Sequence, residues 1–271
     1  MKGRETMAFR SVRGIEMAYD DEGRGGAVVL LHGFPFNRTL WRAQADALSP
    51  THRVITPDLR GHGETSLGSI DSTMEEMARD VAALLEALEL ERVILGGLSM
   101  GGYVALAFAR IFPRRVRALL LADTRPQGDT DEAKQNRELM AAGAMRDGMG
   151  AIADAMLPKL LAPATHMKHP EVVGRVREMI LSTKPEGAAA ALRGMAARQN
   201  HTSFLQNIMQ PTLVVVGSED QLTPPADAEV MRREIRGSRL EVIEGAGHVS
   251  NLERPDEFNR VLLKFFRDFQ L

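Results

Sequence analysis

Gly97-Leu98-Ser99-Met100-Gly101 lies between an apolar run, Arg92-Val93-Ile94-Leu95, and a helix-forming run from Tyr103 to Arg110. Few folds admit a strand that turns sharply into a helix at a Gly-x-Ser-x-Gly sequence. The context predicts a nucleophile elbow at the edge of a sheet. Ser99 is expected at a strained φ/ψ, with its hydroxyl projecting from that edge. Gly97 and Gly101 have no Cβ to collide across the turn. The Met100 amide, at a helix N-terminus, faces any negative charge that develops beside Ser99.

The order of elements around the elbow predicts an α/β fold. Ala8–Val12 and Ile15–Tyr19 alternate around Arg13-Gly14 and read as an edge hairpin, followed by a charged turn over 20–26. Ala27-Val28-Val29-Leu30-Leu31 is a continuous apolar run, as in a strand buried on both faces, and it ends in His32-Gly33-Phe34-Pro35. A helix over about 38–48 and a strand over 53–56 come next. Met77, Val81, Leu84, Leu85 and Leu88 then recur at helical spacing, behind Ser72 or Thr73 as the N-cap. After the elbow helix, Val116–Ala122 is another buried strand. Strand and helix alternating in this way imply a mostly parallel sheet covered by helices on both faces.

Strands then stop between about Arg125 and Gln210. Helical runs are expected near 131–146, 149–161, 170–182 and 185–198. Met140, Met145, Met149, Met156, Met167, Met179 and Met195 fall in this stretch. A helical insertion after a sheet strand reads as a cap over the strand ends, with methionine as an adaptable apolar roof. The division expected is a core of residues 1–124 and 211–271 and a cap of 125–210. The sheet resumes at Thr212–Gly217 and Leu240–Ile243, and a helix opening at Pro255 carries Phe258, Val261, Leu262, Phe265, Phe266 and Phe269 on one face.

Three polar residues follow strands whose carboxyl ends share one edge: Ser99, Asp220 in Glu219-Asp220-Gln221, and His248 in Gly247-His248. A serine hydroxyl needs an adjacent base to act at neutral pH. His248 is the expected base and Asp220 the residue that orients it. Asp123, at the end of the Leu119–Ala122 strand, is the other candidate acid. His32 is expected to fix its loop and His62 to make structural hydrogen bonds below the site. His52, His166, His169 and His201 are expected on the surface or in the cap. The 271 residues include no cysteine, which excludes disulfides, thiolate metal sites and a cysteine nucleophile and fits a cytoplasmic location. A net charge of −2 and the lack of long apolar runs point away from nucleic acid and membranes. Residues 1–6 precede no apolar stretch of the signal-peptide kind.

His32-Gly33-Phe34-Pro35, Pro57-Asp58-Leu59-Arg60-Gly61-His62-Gly63, Gly97-Leu98-Ser99-Met100-Gly101-Gly102, Gly217-Ser218-Glu219-Asp220 and Gly247-His248 together resemble the α/β-hydrolase superfamily over essentially the whole chain. Leu121-Ala122-Asp123-Thr124-Arg125 and His248-Val249-Ser250-Asn251-Leu252-Glu253 are similar to stretches of bacterial carboxylesterases and 3-oxoadipate enol-lactonases. The resemblance implies the α/β-hydrolase fold, with a helical cap inserted after the strand ending near Asp123. It also implies a second oxyanion amide on Phe34 beside that of Met100, and an acyl-enzyme formed on Ser99 with no metal or organic cofactor.

A carboxylic ester is the expected substrate, with Phe36, Trp41 and Leu222 as candidate walls and a small molecule as the partner; a homo-oligomer is compatible. The closest alternative is an enol-lactonase, for which Arg125 or Lys159 would supply a cation. A cofactor-free haloperoxidase or perhydrolase uses the same triad. A ligand receptor on this fold is the alternative from a different class.

Overall fold

A computed structural model describes residues 7–271; the reading of residues 1–6 lies outside the described residues. Eight strands form one sheet: β1 (Met7–Val12), β2 (Ile15–Glu22), β3 (Gly26–Leu31), β4 (His52–Pro57), β5 (Val93–Leu98), β6 (Val116–Ala122), β7 (Thr212–Gly217) and β8 (Arg239–Ile243). Their spatial order is β1-β2-β4-β3-β5-β6-β7-β8. Pairing is antiparallel for β1 with β2 and for β2 with β4, and parallel from β4 through β8. Where a charged turn over 20–26 was expected, β2 runs on to Glu22. Cross-strand pairing such as Asp21 with Ile55 and Glu22 with Val54 extends it, and Arg53 and Arg42 neutralise Asp21 and Glu22.

The helices that flank the sheet begin with α1 (Arg42–Leu48), α2 (Met74–Ala87) and α3 (Met100–Ile111). The Thr73 side chain accepts the Glu76 N–H and so caps α2, with Glu75 and Glu76 in the first turn. Apolar strands such as β3, β5 and β7 are buried along nearly their whole length. The chain passes from β3 outward to β4 and then returns to place β5 on the other side of β3. The loops after β3 and β5 therefore diverge at a topological switch point, where such sheets form a crevice.

Between β6 and β7 lie α4 (Asp131–Asp147), α5 (Met149–Leu160), α6 (Pro163–Lys168), α7 (Pro170–Ser182) and α8 (Pro185–Ala196). Only α6 has no counterpart in the periodicity; a single turn or two between Pro163 and Pro170 is too short to show one. The excursion closes on itself where the His201 N–H donates to the Pro126 carbonyl at 2.8 Å. After β7 come α9 (Pro225–Glu234), α10 (Ser250–Glu253) and α11 (Pro255–Asp268). Helix α11 buries Phe258, Val261, Leu262, Phe265 and Phe266, each worth roughly 1.5–3 kcal/mol when fully removed from water.

His52, expected on the surface or in the cap, is instead buried, and His201, inside the stretch expected as cap, is buried as well. His52 opens β4 and packs edge-on against Phe266. His201 packs against Phe204 under the closing hydrogen bond. The Phe266 ring comes from the far end of the chain, so local sequence carries no sign of that contact, whereas Phe204 is only three residues beyond His201.

Candidate active site

The elbow forms at the junction of β5 and α3. Ser99 sits at φ 54° and ψ −115°. Its N–H donates to the Ala122 carbonyl at 3.0 Å and its carbonyl accepts the Gly102 N–H at 2.9 Å and the Thr124 hydroxyl at 2.8 Å. The turn is closed so tightly that a Cβ on Gly97 would fall on the Gly101 backbone, and one on Gly101 on the Leu31 carbonyl. Only glycine fits at either place.

Ser99, His248 and Asp220 come together from three strand ends. The Ser99 Oγ lies 2.8 Å from His248 Nε2, and His248 Nδ1 lies 3.0 and 2.9 Å from the two Asp220 carboxylate oxygens. Asp220 also accepts the N–H groups of Leu222 and Thr223 and the Thr223 hydroxyl. Burial pushes the Asp220 carboxyl up, but the His248 charge and these donors outweigh it and hold the carboxyl below its ordinary value. Burial likewise pushes His248 down, and the opposing pull of Asp220, Asp123 and Glu253 leaves it above the ordinary histidine value. With Nδ1–H committed to Asp220, Nε2 is left to accept the Ser99 proton.

Asp123 lies close by but bonds elsewhere. Its oxygens accept the Gly217 N–H at 2.9 Å and the Ser250 hydroxyl at 2.6 Å. Burial and the neighbouring Asp220 push it up to about 8. His32 fixes its loop: Nδ1 donates to the Gly33 carbonyl and Nε2 accepts the Leu59 N–H, both at 2.9 Å. Burial drives His32 down to about 4 and His62 to about 3, so both are neutral spacers.

The two candidate oxyanion amides border the elbow. Met100 is the first residue of α3, where N–H groups have no acceptor within the helix. Phe34 follows Gly33, where a Cβ would stand 3.2 Å from that of Ser99.

Above this floor lies a cavity of about 280 Å³. Phe34, Ser99 and His248 line its base, Tyr103, Leu222 and Thr223 its sides, and Met140, Met156, Leu192 and Met195 its roof. Leu222 therefore stands where a wall was expected. Phe36 and Trp41 do not: both are fully buried, away from the cavity, and Trp41 packs against Phe258 of α11. Local sequence does not distinguish the inner face of a loop from its outer face, and both aromatics lie on the inner one. Of the seven methionines in the stretch expected as cap, most of them expected as core, Met140, Met156 and Met195 line the cavity. Met149 and Met179 are core, and Met145 and Met167 are exposed.

Three cations, Arg125, Arg137 and Lys159, also line the wall, and among the described residues no acid does. Buried Asp129 binds Arg137 and Arg198 and stands 3.4 Å from Arg125. The Arg198 guanidinium lies over the Tyr103 ring at 4.2 Å. Sequence reasoning missed Tyr103, Thr223 and Arg137. The first two had a signal: Tyr103 lies four residues beyond Ser99, in the first turn of α3, and Thr223 lies three residues beyond Asp220. Among the described residues no cluster of His, Asp and Glu is arranged to hold a metal ion, and no helix is long and apolar enough to cross a membrane.

Residues 26–255 match the family model described as alpha/beta hydrolase fold. An esterase from Thermogutta terrifontis, solved with malate bound, is similar at 44% identity and a TM-score of 0.94, covering 99% of this chain and 100% of that one. The enol-lactonase of Burkholderia xenovorans LB400 is 29% identical with a TM-score of 0.90, covering 96% of this chain and 100% of its own. The 3-oxoadipate enol-lactonase 1 of Acinetobacter baylyi is 27% identical over 244 residues, 90% of each chain.

Proposed function

The chain belongs to the alpha/beta hydrolase fold family, and from that premise we propose that it is a serine hydrolase of carboxylic esters that works through an acyl-enzyme. The observation that carries this reading is the unbroken relay from Ser99 Oγ to His248 Nε2 at 2.8 Å and from His248 Nδ1 to Asp220 at 2.9 Å, at the base of a partly open cavity. His248 takes the Ser99 proton as Oγ attacks the ester carbonyl. The Phe34 and Met100 amides receive the oxyanion; one such donor is worth roughly 3–4 kcal/mol. His248 returns the proton to the departing alkoxide, and a water deprotonated by His248 then releases the acid and restores Ser99. The 280 Å³ cavity lies just below the usual range for drug-sized ligands and favours short acyl groups.

A second reading is hydrolysis of a lactone or ester that carries its own carboxylate. Arg125, Arg137 and Lys159 in a wall without acids favour it, as does the likeness to enol-lactonases. A panel of neutral esters, carboxylated esters and lactones, run beside Ser99→Ala, tests both. Turnover that survives in Ser99→Ala to within a few-fold would remove the mechanism. Equal rates on neutral and carboxylated substrates would remove the second reading and leave the first.

A further inference from the structure

We propose that Glu253 is a positioning residue that couples the docking of the helical insertion to the alignment of His248; this rests on the reading of Ser99, His248 and Asp220 as a hydrolytic triad. Glu253 ends α10 and is 6% exposed. Its carboxylate bridges a seam. Oε1 accepts the N–H of Gly247, the residue before His248, at 2.7 Å. Oε2 accepts the Ala162 N–H at 2.9 Å and the Thr165 hydroxyl at 2.5 Å, both from the insertion. A second tie lies beside it: the His248 N–H donates to the Leu160 carbonyl at 2.9 Å. The two sides are in close contact, since a Cβ on Gly247 would stand 2.7 Å from the Ala162 nitrogen.

The imidazole is aimed by Asp220, but its backbone is held by Glu253 and by the segment joining α5 to α6. The insertion thus does more than roof the cavity. Where it docks fixes where Nε2 stands relative to Ser99 Oγ, and an error of an ångström in such an alignment costs about 100-fold in rate. A carboxylate suits the task because both oxygens accept. An amide in its place turns one end into a donor that opposes either the Gly247 or the Ala162 N–H. The titratable groups facing the imidazole are Asp220, Asp123 and Glu253, with Arg254 beside Glu253. Removing the Glu253 charge therefore makes the imidazolium less favourable.

Glu253→Gln and Thr165→Val test the coupling through kcat, KM and the pH profile with p-nitrophenyl acetate, together with an NMR titration of the His248 ring. In Glu253→Gln, kcat is expected to fall about 10- to 100-fold with KM nearly unchanged, and both the kinetic and the NMR pKa of His248 move to lower pH. Thr165→Val keeps the charge and removes one tie from the insertion side, so kcat falls less and the titration stays in place. Wild-type kcat and an unmoved His248 titration in Glu253→Gln overturn the proposal. If Glu253→Gln does not fold, wild-type kcat in Thr165→Val overturns it. A wild-type protein that hydrolyses no ester instead overturns the triad reading, and the ring titration still reports whether Glu253 acts on His248.

Discussion

Ser99 Oγ reaches His248 Nε2 at 2.8 Å only because Ser99 occupies φ 54°, a conformation that side chains with a Cβ rarely adopt. Such strain costs on the order of 1–3 kcal/mol and is sustained by the surrounding structure. Removing the hydroxyl and relieving the strain are therefore separable. Ser99→Ala is expected to lose about 10⁵-fold or more in kcat with little change in melting temperature. Ser99→Gly is expected to be equally inactive and to melt about 2 °C higher or more. Thermal melts of the two variants beside ester assays check both.

Asp220 and Asp123 predict opposite outcomes for the same change. Asp220→Asn reverses the preferred His248 tautomer and is expected to lower kcat by about 10⁴-fold. Asp123→Asn is expected to leave kcat within a few-fold. Loss of activity in Asp123→Asn comparable to that in Asp220→Asn would reassign the acid.

The same Asp123 makes a prediction about stability. Its folded value, pushed up to about 8, lies above the ordinary 3.8. The folded state therefore holds a proton that the unfolded chain releases, and stability falls as the pH rises from about 4 to 8. Asparagine does not ionise, so Asp123→Asn should gain melting temperature relative to wild type at pH 9 and gain less at pH 5.

For His248 the signs of activity and stability oppose each other. Its folded value is raised, so the imidazolium contributes stability that is fully present below the unfolded value and is lost as pH rises through the folded one. The base must be neutral to act, so kcat/KM should rise with pH through that same range. A pH–rate profile with its acid limb at or below the ordinary histidine value would show that Asp220 does not raise His248, and a profile with no acid limb would contradict the assignment.

The cationic wall predicts a split between substrates. Arg125→Gln and Lys159→Ala should each lower kcat/KM for p-nitrophenyl hemisuccinate by about 10-fold, the scale of one hydrogen bond to a charged group, and leave p-nitrophenyl butyrate unchanged. A parallel loss on both esters would show that these residues shape the cavity without reading charge.

The parts of the site legible in the sequence are those set by local rules. The elbow is a contiguous strand–turn–helix, and β3, β5, β6 and β7 are short apolar runs that each end in a polar or glycine-rich loop. The placement of His248 and Asp220 followed from one topological rule, that parallel strands end on a common edge. The parts not legible depend on which distant segment packs where. Trp41 turns inward against Phe258 of α11, and His201 is buried by the return of the insertion. Glu253 has no assigned role in the sequence beyond its place in the stretch from His248, because its donors, Ala162 and Thr165, lie about ninety positions earlier.

The hydrogen bond between His201 and Pro126 closes the helical excursion at its neck, so β6 and β7 meet whatever lies between. Because the cost of closing a loop rises only slowly with its length, the number of residues between 127 and 200 adds little to the cost of bringing β6 and β7 together. Recombination between relatives can install a different roof over an unchanged reaction centre. Any newcomer has to supply the donors now held by Ala162 and Thr165 and the carbonyl of Leu160, and to meet the core as closely as Gly187 meets Gly61 and Gly194 meets Ser72.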